Sequence, residues 1–170
     1  GAGAAATIWH MEEGRLGIAL RQMGQEVEGG FGAFTAEIRF DDTAPPDRMG
    51  NVRVEIDLAS LALGTVTAQA RGADFLDTAA HPLALFEAGL RAARPGEGGS
   101  HAAEGQLSLR GVTVPVVLPF TLAHDGSRAE MTGLVTLDRR DFGIGAAYGD
   151  EASLGFGVEV RVRIVARRGG

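Results

Sequence analysis

The sequence predicts an all-β fold of about eight mostly antiparallel strands, closed into a barrel or stacked as a two-sheet sandwich, with one short helical insertion. The first reason is a period of two that recurs along most of the 170 residues, which marks strands with one buried face. The second is that this period lapses only once at length, between residues 65 and 80. The third is composition. Hydrophobic residues make up 45%, and 26 glycines are spread through the chain, as suits an ordered protein with many turns or close backbone approaches.

The elements follow in order. Residues 1–6 are only Gly and Ala and are expected to be flexible, ahead of a single domain over 7–167. From Arg15 to Met23, Leu16, Ile18 and Leu20 alternate with polar residues. After a turn near Met23 to Glu28 the alternation restarts with Phe34, Ala36, Ile38 and Phe40. Pro45 and Pro46 make "DDTAPPDRMGN" a loop. In "NVRVEIDLASL", Val52, Val54 and Ile56 face one way and Arg53, Glu55 and Asp57 the other. Thr65 is placed to cap a short helix over Val66 to Arg71 that Gly72 ends, held as a lid by Phe75 and Leu76.

Leu83 to Ala92 read as another strand, and "RPGEGGSHAAEG" as a flexible hairpin connection. In "GQLSLRGVTVPVVLPFTLAHDG", Val112, Val114, Val116, Leu118, Phe120 and Leu122 share a face. Pro115 and Pro119 sit on the other, so this strand is expected to border a break in the hydrogen-bond ladder. Arg128 to Leu137 return after "DGS". A long Gly-rich connection follows, and the last strand turns Phe156, Val158, Val160, Val162 and Ile164 inward. Strands of this number and length need both faces managed, and a barrel or a sandwich does so.

Several chemistries are poorly served. With 16 Lys plus Arg and a formal charge of −6, a nucleic-acid backbone is a poor partner. No Cys is present, which removes disulfides, thiolate metal sites and Cys nucleophiles. No apolar run approaches the roughly 20 residues of a membrane span. The start without Met fits either a processed secretory precursor or a tag scar. His10, His81, His101 and His124 lack metal-ligand spacing. Asp41 and Asp42, or Asp47 and Asp57, read as turn and strand-solvating carboxylates rather than catalytic pairs. "GEGG" and "GGFGAF" lack the context of a phosphate loop, and Ser60, Ser108 and Ser153 have no local base. Neither an enzyme, a metal nor a cofactor is expected. The aromatic residues suit a core, yet an eight-stranded barrel can also hold one small ligand, and Ala36, Ala84 and Gly133 at inward positions leave room for it.

Three further stretches carry a resemblance. "TAQARGADFLDTAAHPLALFEA", "GQLSLRGVTVPVVLPF" and "LDRRDFGIG", in that order and with the opening "GQEVEGGFGAFTAEIRFD", resemble the YceI-like family from about Trp9 to Ala166. The resemblance implies an extended eight-stranded lipocalin-like antiparallel barrel. It also implies a secreted or periplasmic bacterial protein that binds a polyisoprenoid, such as an isoprenoid quinone or its precursor, and that forms a homodimer. On this reading Phe34, Phe75, Phe86, Phe120 and Phe142 contact the tail. Arg71, Arg140 or Asp141 stand at the mouth, with Arg140 and Asp141 able to form an ion pair that fixes the turn. The chain departs from the pattern after Trp9, where "MEEGRLG" places Glu12 or Glu13 at the acidic position and Arg15 and Gly17 at the polar ones. It departs again at "AQARGADFL", which carries one charge fewer. Two other readings stand beside binding. A structural or interaction barrel would have a filled interior, and an enzyme acting on a small hydrophobic substrate would turn Glu12, Asp57 or His81 inward.

Overall fold

The computed structural model describes residues 7–169; the expected flexible segment 1–6 lies outside them. Ten strands form: β1 (Ile8–Gln22), β2 (Gln25–Phe31), β3 (Phe34–Phe40), β4 (Gly50–Asp57), β5 (Leu61–Ala62), β6 (Leu83–Ala92), β7 (His101–Leu109), β8 (Val112–Asp125), β9 (Arg128–Asp138) and β10 (Gly157–Arg168). β10 pairs back onto β1 and closes the sheet. β3 takes the start of β1 and β2 its end, so the two act as one stave interrupted at Gly32 and Ala33. With β5 a two-residue appendage to β2, the ring is an eight-stranded antiparallel barrel with a short helical insertion.

β1 starts at Ile8, seven residues before the expected Arg15. A bulge between Met11 and Glu13 explains why the pattern hid it. Trp9 and Met11 face the core before the bulge and Leu16, Ile18 and Leu20 after it, so the inward parity changes from odd to even. Gly14 falls in this irregular stretch. A Cβ there would lie 2.5 Å from Cζ of Phe34, so only Gly lets that ring cross the wall. The turn after β1 is tighter than expected, with Met23 and Gly24 both at positive φ, the backbone of a two-residue hairpin.

Residues 58–82 fold over one end of the barrel. A 3-10 turn (Gly64–Val66) leads into α1 (Thr67–Arg71), five residues long. Thr65 is not its cap. Val66 stands at the cap position and makes no side-chain cap bond, while the Thr67 hydroxyl ties the helix start to the preceding turn, accepting from Leu63 N at 2.8 Å and donating to Gly64 O at 2.8 Å. No helix among the described residues is long and apolar enough to cross a membrane.

The opposite end is solid. Trp9, Phe40, Met49, Leu90, Phe120, Ile164 and Ala166 are buried together, and the Trp9 indole donates to Phe40 O at 3.3 Å. His101 stacks on Phe120 and meets Phe40 edge-on. β7 therefore begins inside the expected flexible connection, which shortens to residues 93–100. Arg91, 6% exposed, ties it down through Glu97, at 2.8 Å on each carboxylate oxygen, and through Glu104 at 2.9 Å.

The ladder does break beside β8. Only Phe120–Asp125 pair with β9, leaving Val112 to Pro119 open on that side and Leu134 to Asp138 of β9 without a β8 partner. Phe120 O accepts from Ser100 N beside β7, so even-numbered β8 residues bond toward β7 and odd-numbered ones toward β9. Pro115 and Pro119 are odd. They stand where an N–H would point into the gap, and each removes a donor that the ladder could not satisfy. Phe142, 1% exposed, packs against Val116 and Leu107 behind this seam.

Candidate functional site

Between the solid end and the lid the barrel is hollow. The cavity measures about 320 Å³, within the range of small-molecule sites, roughly 300–1,000 Å³. Its wall alternates out of every long strand: Leu16, Ile18 and Leu20 from β1, Val52, Val54 and Ile56 from β4, Val158, Val160 and Val162 from β10. These point inward, yet most stay only half-buried. Inward-facing apolar side chains with accessible surface are what an unfilled interior looks like, since a packed core would reach close to crystal density.

All five phenylalanines singled out in the sequence line this space: Phe34 from β3, Phe86 from β6, Phe120 from β8, Phe75 beneath α1, and Phe142 from the turn after β9. They are not equivalent. Phe34, Phe75 and Phe86 are half-buried, whereas Phe120 and Phe142 are 5% and 1% exposed and serve the surrounding core. Among the small residues, Ala84 lines the cavity but Ala36 does not. Gly133 leaves no room, because Leu118 and Val162 already close to 3.2 Å of where its Cβ would stand.

The charged residues fall elsewhere. Arg71 donates to Leu61 O at 2.8 Å and is not in the cavity wall. Arg140 pairs with Asp138, not Asp141: its Nη2 lies 2.6 Å from Oδ2 and its Nε 3.0 Å from Oδ1. The spacing explains the correction. Asp138 caps the 3-10 turn Arg139–Phe142 by accepting from Arg140 N, and Arg140 folds back onto the same carboxylate. The Arg140 hydrogen bonds hold the Asp138 carboxyl down at about 2. The Arg140 guanidinium also covers the Phe156 ring at 3.7 Å, so Phe156 lies ahead of β10 and outside the cavity rather than facing inward.

The residue missed in the sequence is Arg139. It is 3% exposed and reaches the cavity wall. Its five N–H groups go to five backbone carbonyls: Gly155 from Nε at 2.9 Å, Ile144 at 3.0 Å and Gly145 at 2.8 Å from Nη1, Leu154 at 3.0 Å and Tyr148 from Nη2. Burial pulls its pKa below the usual value for arginine, but a guanidinium stays charged in a protein. The one available signal was the connection itself. A long segment without secondary structure needs donors for its buried carbonyls, and a guanidinium supplies five. Gly143, at φ 71°, completes the turn in the left-handed region that Gly adopts freely.

Among the described residues, no carboxylate or imidazole lines the cavity. Glu12 pairs with Arg167 and Glu13 with Arg163 on the outer face, Asp57 caps a 3-10 turn, and the His81 ring lies against Gly111. Ser153 donates to Asp150 at 3.4 Å. The described wall thus offers no carboxylate or imidazole to a reacting group. It is built for burial.

The YceI-like domain model matches residues 9–166. The crystal structure of BcnA from Burkholderia cenocepacia is similar at a TM-score of 0.80 and 26% identity, over 89% of this chain and 95% of that one. A YceI protein of Campylobacter jejuni superposes at 0.67 with 18% identity, over 84% of each chain. A polyisoprenoid binding domain from Saccharophagus degradans does so at 0.67 with 15% identity, over 97% and 99%. No curated protein matches the chain.

Proposed function

The chain belongs to the YceI-like family, and from that premise and its hollow interior we propose that it binds, stores or carries a long apolar ligand of the polyisoprenoid class, an isoprenoid quinone or its precursor. The observation that carries this reading is the cavity of about 320 Å³ with a wall almost wholly of aliphatic and aromatic side chains. Such a wall makes few directional demands. Its driving force is apolar surface leaving water, about 25 cal/mol per Å², so selection works through width and length. The similar domain from Saccharophagus degradans is described as polyisoprenoid binding, which supports the same ligand class. A solid structural barrel is disfavoured by the accessible inner wall, and a catalytic one by a described wall without carboxylate or imidazole. From the family resemblance we further propose a periplasmic or secreted bacterial location and a homodimer.

The test is native mass spectrometry of the protein purified from a bacterial host, beside mass spectrometry of its organic extract. A stoichiometric isoprenoid lost on Phe34→Asp or Phe86→Asp, with the circular dichroism spectrum kept, supports the carrier; the same spectra report the oligomeric state. A ligand-free mass, together with failure to take up long-chain quinones, refutes it. Phe120 is the wrong residue to charge, because it belongs to the buried end of the core.

A further inference from the structure

The two ends of the barrel present different surfaces. At the Trp9 end the exposed loops and hairpin tips carry Asp42, Asp47, Arg48, Arg94, Asp125 and Arg128, charges of both signs. At the lid end the exposed positions of residues 62–83 and 143–153 hold no arginine or lysine. They hold small apolar side chains, Ala73, Ala79 and Ala80 from the lid and Ala146, Ala147 and Ala152 from the connection, with Asp74, Asp150 and Glu151 as the charges. Arg21 and Arg140, exposed at the edge of this end, are turned to Gly24 O and Asp138. Four of the seven large apolar side chains exposed among the described residues lie here as well: Met23 in the β1–β2 turn, Leu83 at the start of β6, Val112 at the start of β8 and Tyr148 in the connection. They stand over separate staves and so ring the mouth. Tyr148 is 40% exposed and also lines the cavity, so the apolar rim runs into the apolar wall. Met23 is the sharpest case. It is 74% exposed and sits at φ 51°, in a turn whose left-handed backbone favours Asn, Asp or Gly. A long apolar side chain there breaks the local rule and gains little packing inside the molecule, and a rule broken without internal compensation points outward.

Resting on the carrier reading above, we propose that the lid end is a docking face for a lipid bilayer of zwitterionic headgroups, from which the cargo crosses to the cavity without passing through water. Met23, Leu83, Val112 and Tyr148 enter the boundary between headgroups and acyl chains, the level at which a Tyr ring keeps its hydroxyl wet and aliphatic side chains leave water. Asp74, Asp150 and Glu151 meet the outward ammonium ends of those headgroups, whereas the negative surface potential of an anionic bilayer repels them. Docking is shallow and reversible, since four separate side chains bury far less apolar surface than an amphipathic helix does.

The test is flotation of the full chain with phosphatidylcholine–phosphatidylethanolamine vesicles, beside the same vesicles carrying phosphatidylglycerol. Uptake of the apolar fluorescent probe N-phenyl-1-naphthylamine from water reads the cavity separately. The chain is expected to float with the zwitterionic vesicles and to bind the anionic ones about threefold less or weaker still at low salt, a gap that closes as salt screens the charges. Met23→Asn suits the turn better. It should keep or raise the melting temperature and keep probe uptake, while lowering vesicle partitioning about tenfold, the share of one apolar side chain. Leu134→Ser, at an exposed position on the side wall, should leave partitioning unchanged. Absence of flotation overturns the proposal and leaves a protein as the occupant of this face. Tighter binding to the anionic vesicles, or equal losses in the two variants, overturns it too. In each of these cases normal probe uptake keeps the carrier reading standing. Failure of the unsubstituted chain to take up the probe refutes the carrier reading and this proposal together.

Discussion

Replacing Arg139 by Met keeps a long apolar stem but removes the five guanidinium donors that bond carbonyls between residues 144 and 155. Five carbonyls lose their partner, and each stranded carbonyl costs about 1–3 kcal/mol. All five together would rival the 5–15 kcal/mol that typically keeps a whole domain folded, so the segment will open to water rather than stay closed. If water recovers three of the five on opening, the two that remain give an expected loss of about 2–6 kcal/mol. Urea unfolding reads the total. Hydrogen exchange reads the place, with Gly143, Ile144, Gly145 and Leu154 amides losing protection before those of β7. Arg139→Lys is the decisive control: an ammonium keeps the charge but has three donors, not a fork of five. Full recovery of stability in that variant, or a loss below about 1 kcal/mol in Arg139→Met, would refute the view that the fork rather than the charge organises this connection.

Phe120→Ala is expected to cost about 3–5 kcal/mol and Phe34→Ala no more than about 2, with thermal melts separating the buried ring from the one that lines open space. Gly14→Val, whose Cβ falls within 2.5 Å of the Phe34 ring, should push that ring across the cavity and lower uptake of N-phenyl-1-naphthylamine more than it lowers the melting temperature. On the acid side, Arg91 and the Arg94 amide hold Glu97 down at about 2 from its ordinary 4.5, and Arg140 does the same for Asp138. Their contribution is present in full above about pH 4.5 and lost as pH falls toward 2, a loss that Glu97→Gln shows already at pH 7 in urea melts. Burial between Phe40 and Phe120, followed by the charge of His124, lowers the pKa of His101 below 6.5. The unfolded chain then binds the proton first, so stability declines as pH drops from about 6.5, and His101→Gln should flatten that part of the profile.

The barrel was legible because its strands keep one parity over long runs. β4, β8 and β10 each present inward residues two apart, and closure follows from having no other place for so many half-apolar strands. β1 was half hidden because its bulge switches parity in mid-strand, so Trp9 and Leu16 look unrelated in the sequence. β7 was shortened because Ala102 and Ala103 are buried without being conspicuous. The phenylalanines of the wall were found by parity and resemblance, but parity does not say which ring meets a void and which meets a core. The partner of Arg140 was misread for a different reason. In a sequence an arginine looks available; which carbonyls or carboxylates already hold it is decided by loops whose course no periodicity reveals.

A hoop bonded all the way round has a fixed girth, since widening it anywhere must pull two strands apart. This barrel is split beside Val112 to Pro119, along the half that holds the cavity. There the staves touch through side chains, with Phe142 as the wedge behind them, and prolines at two of the four odd positions remove half of the donors that would face the split. Widening at that place stretches van der Waals contacts and breaks no ladder bond. The girth of the hollow half is thus the soft dimension of the molecule, while the Trp9 end, ladder-bonded on every side, keeps the strands in register.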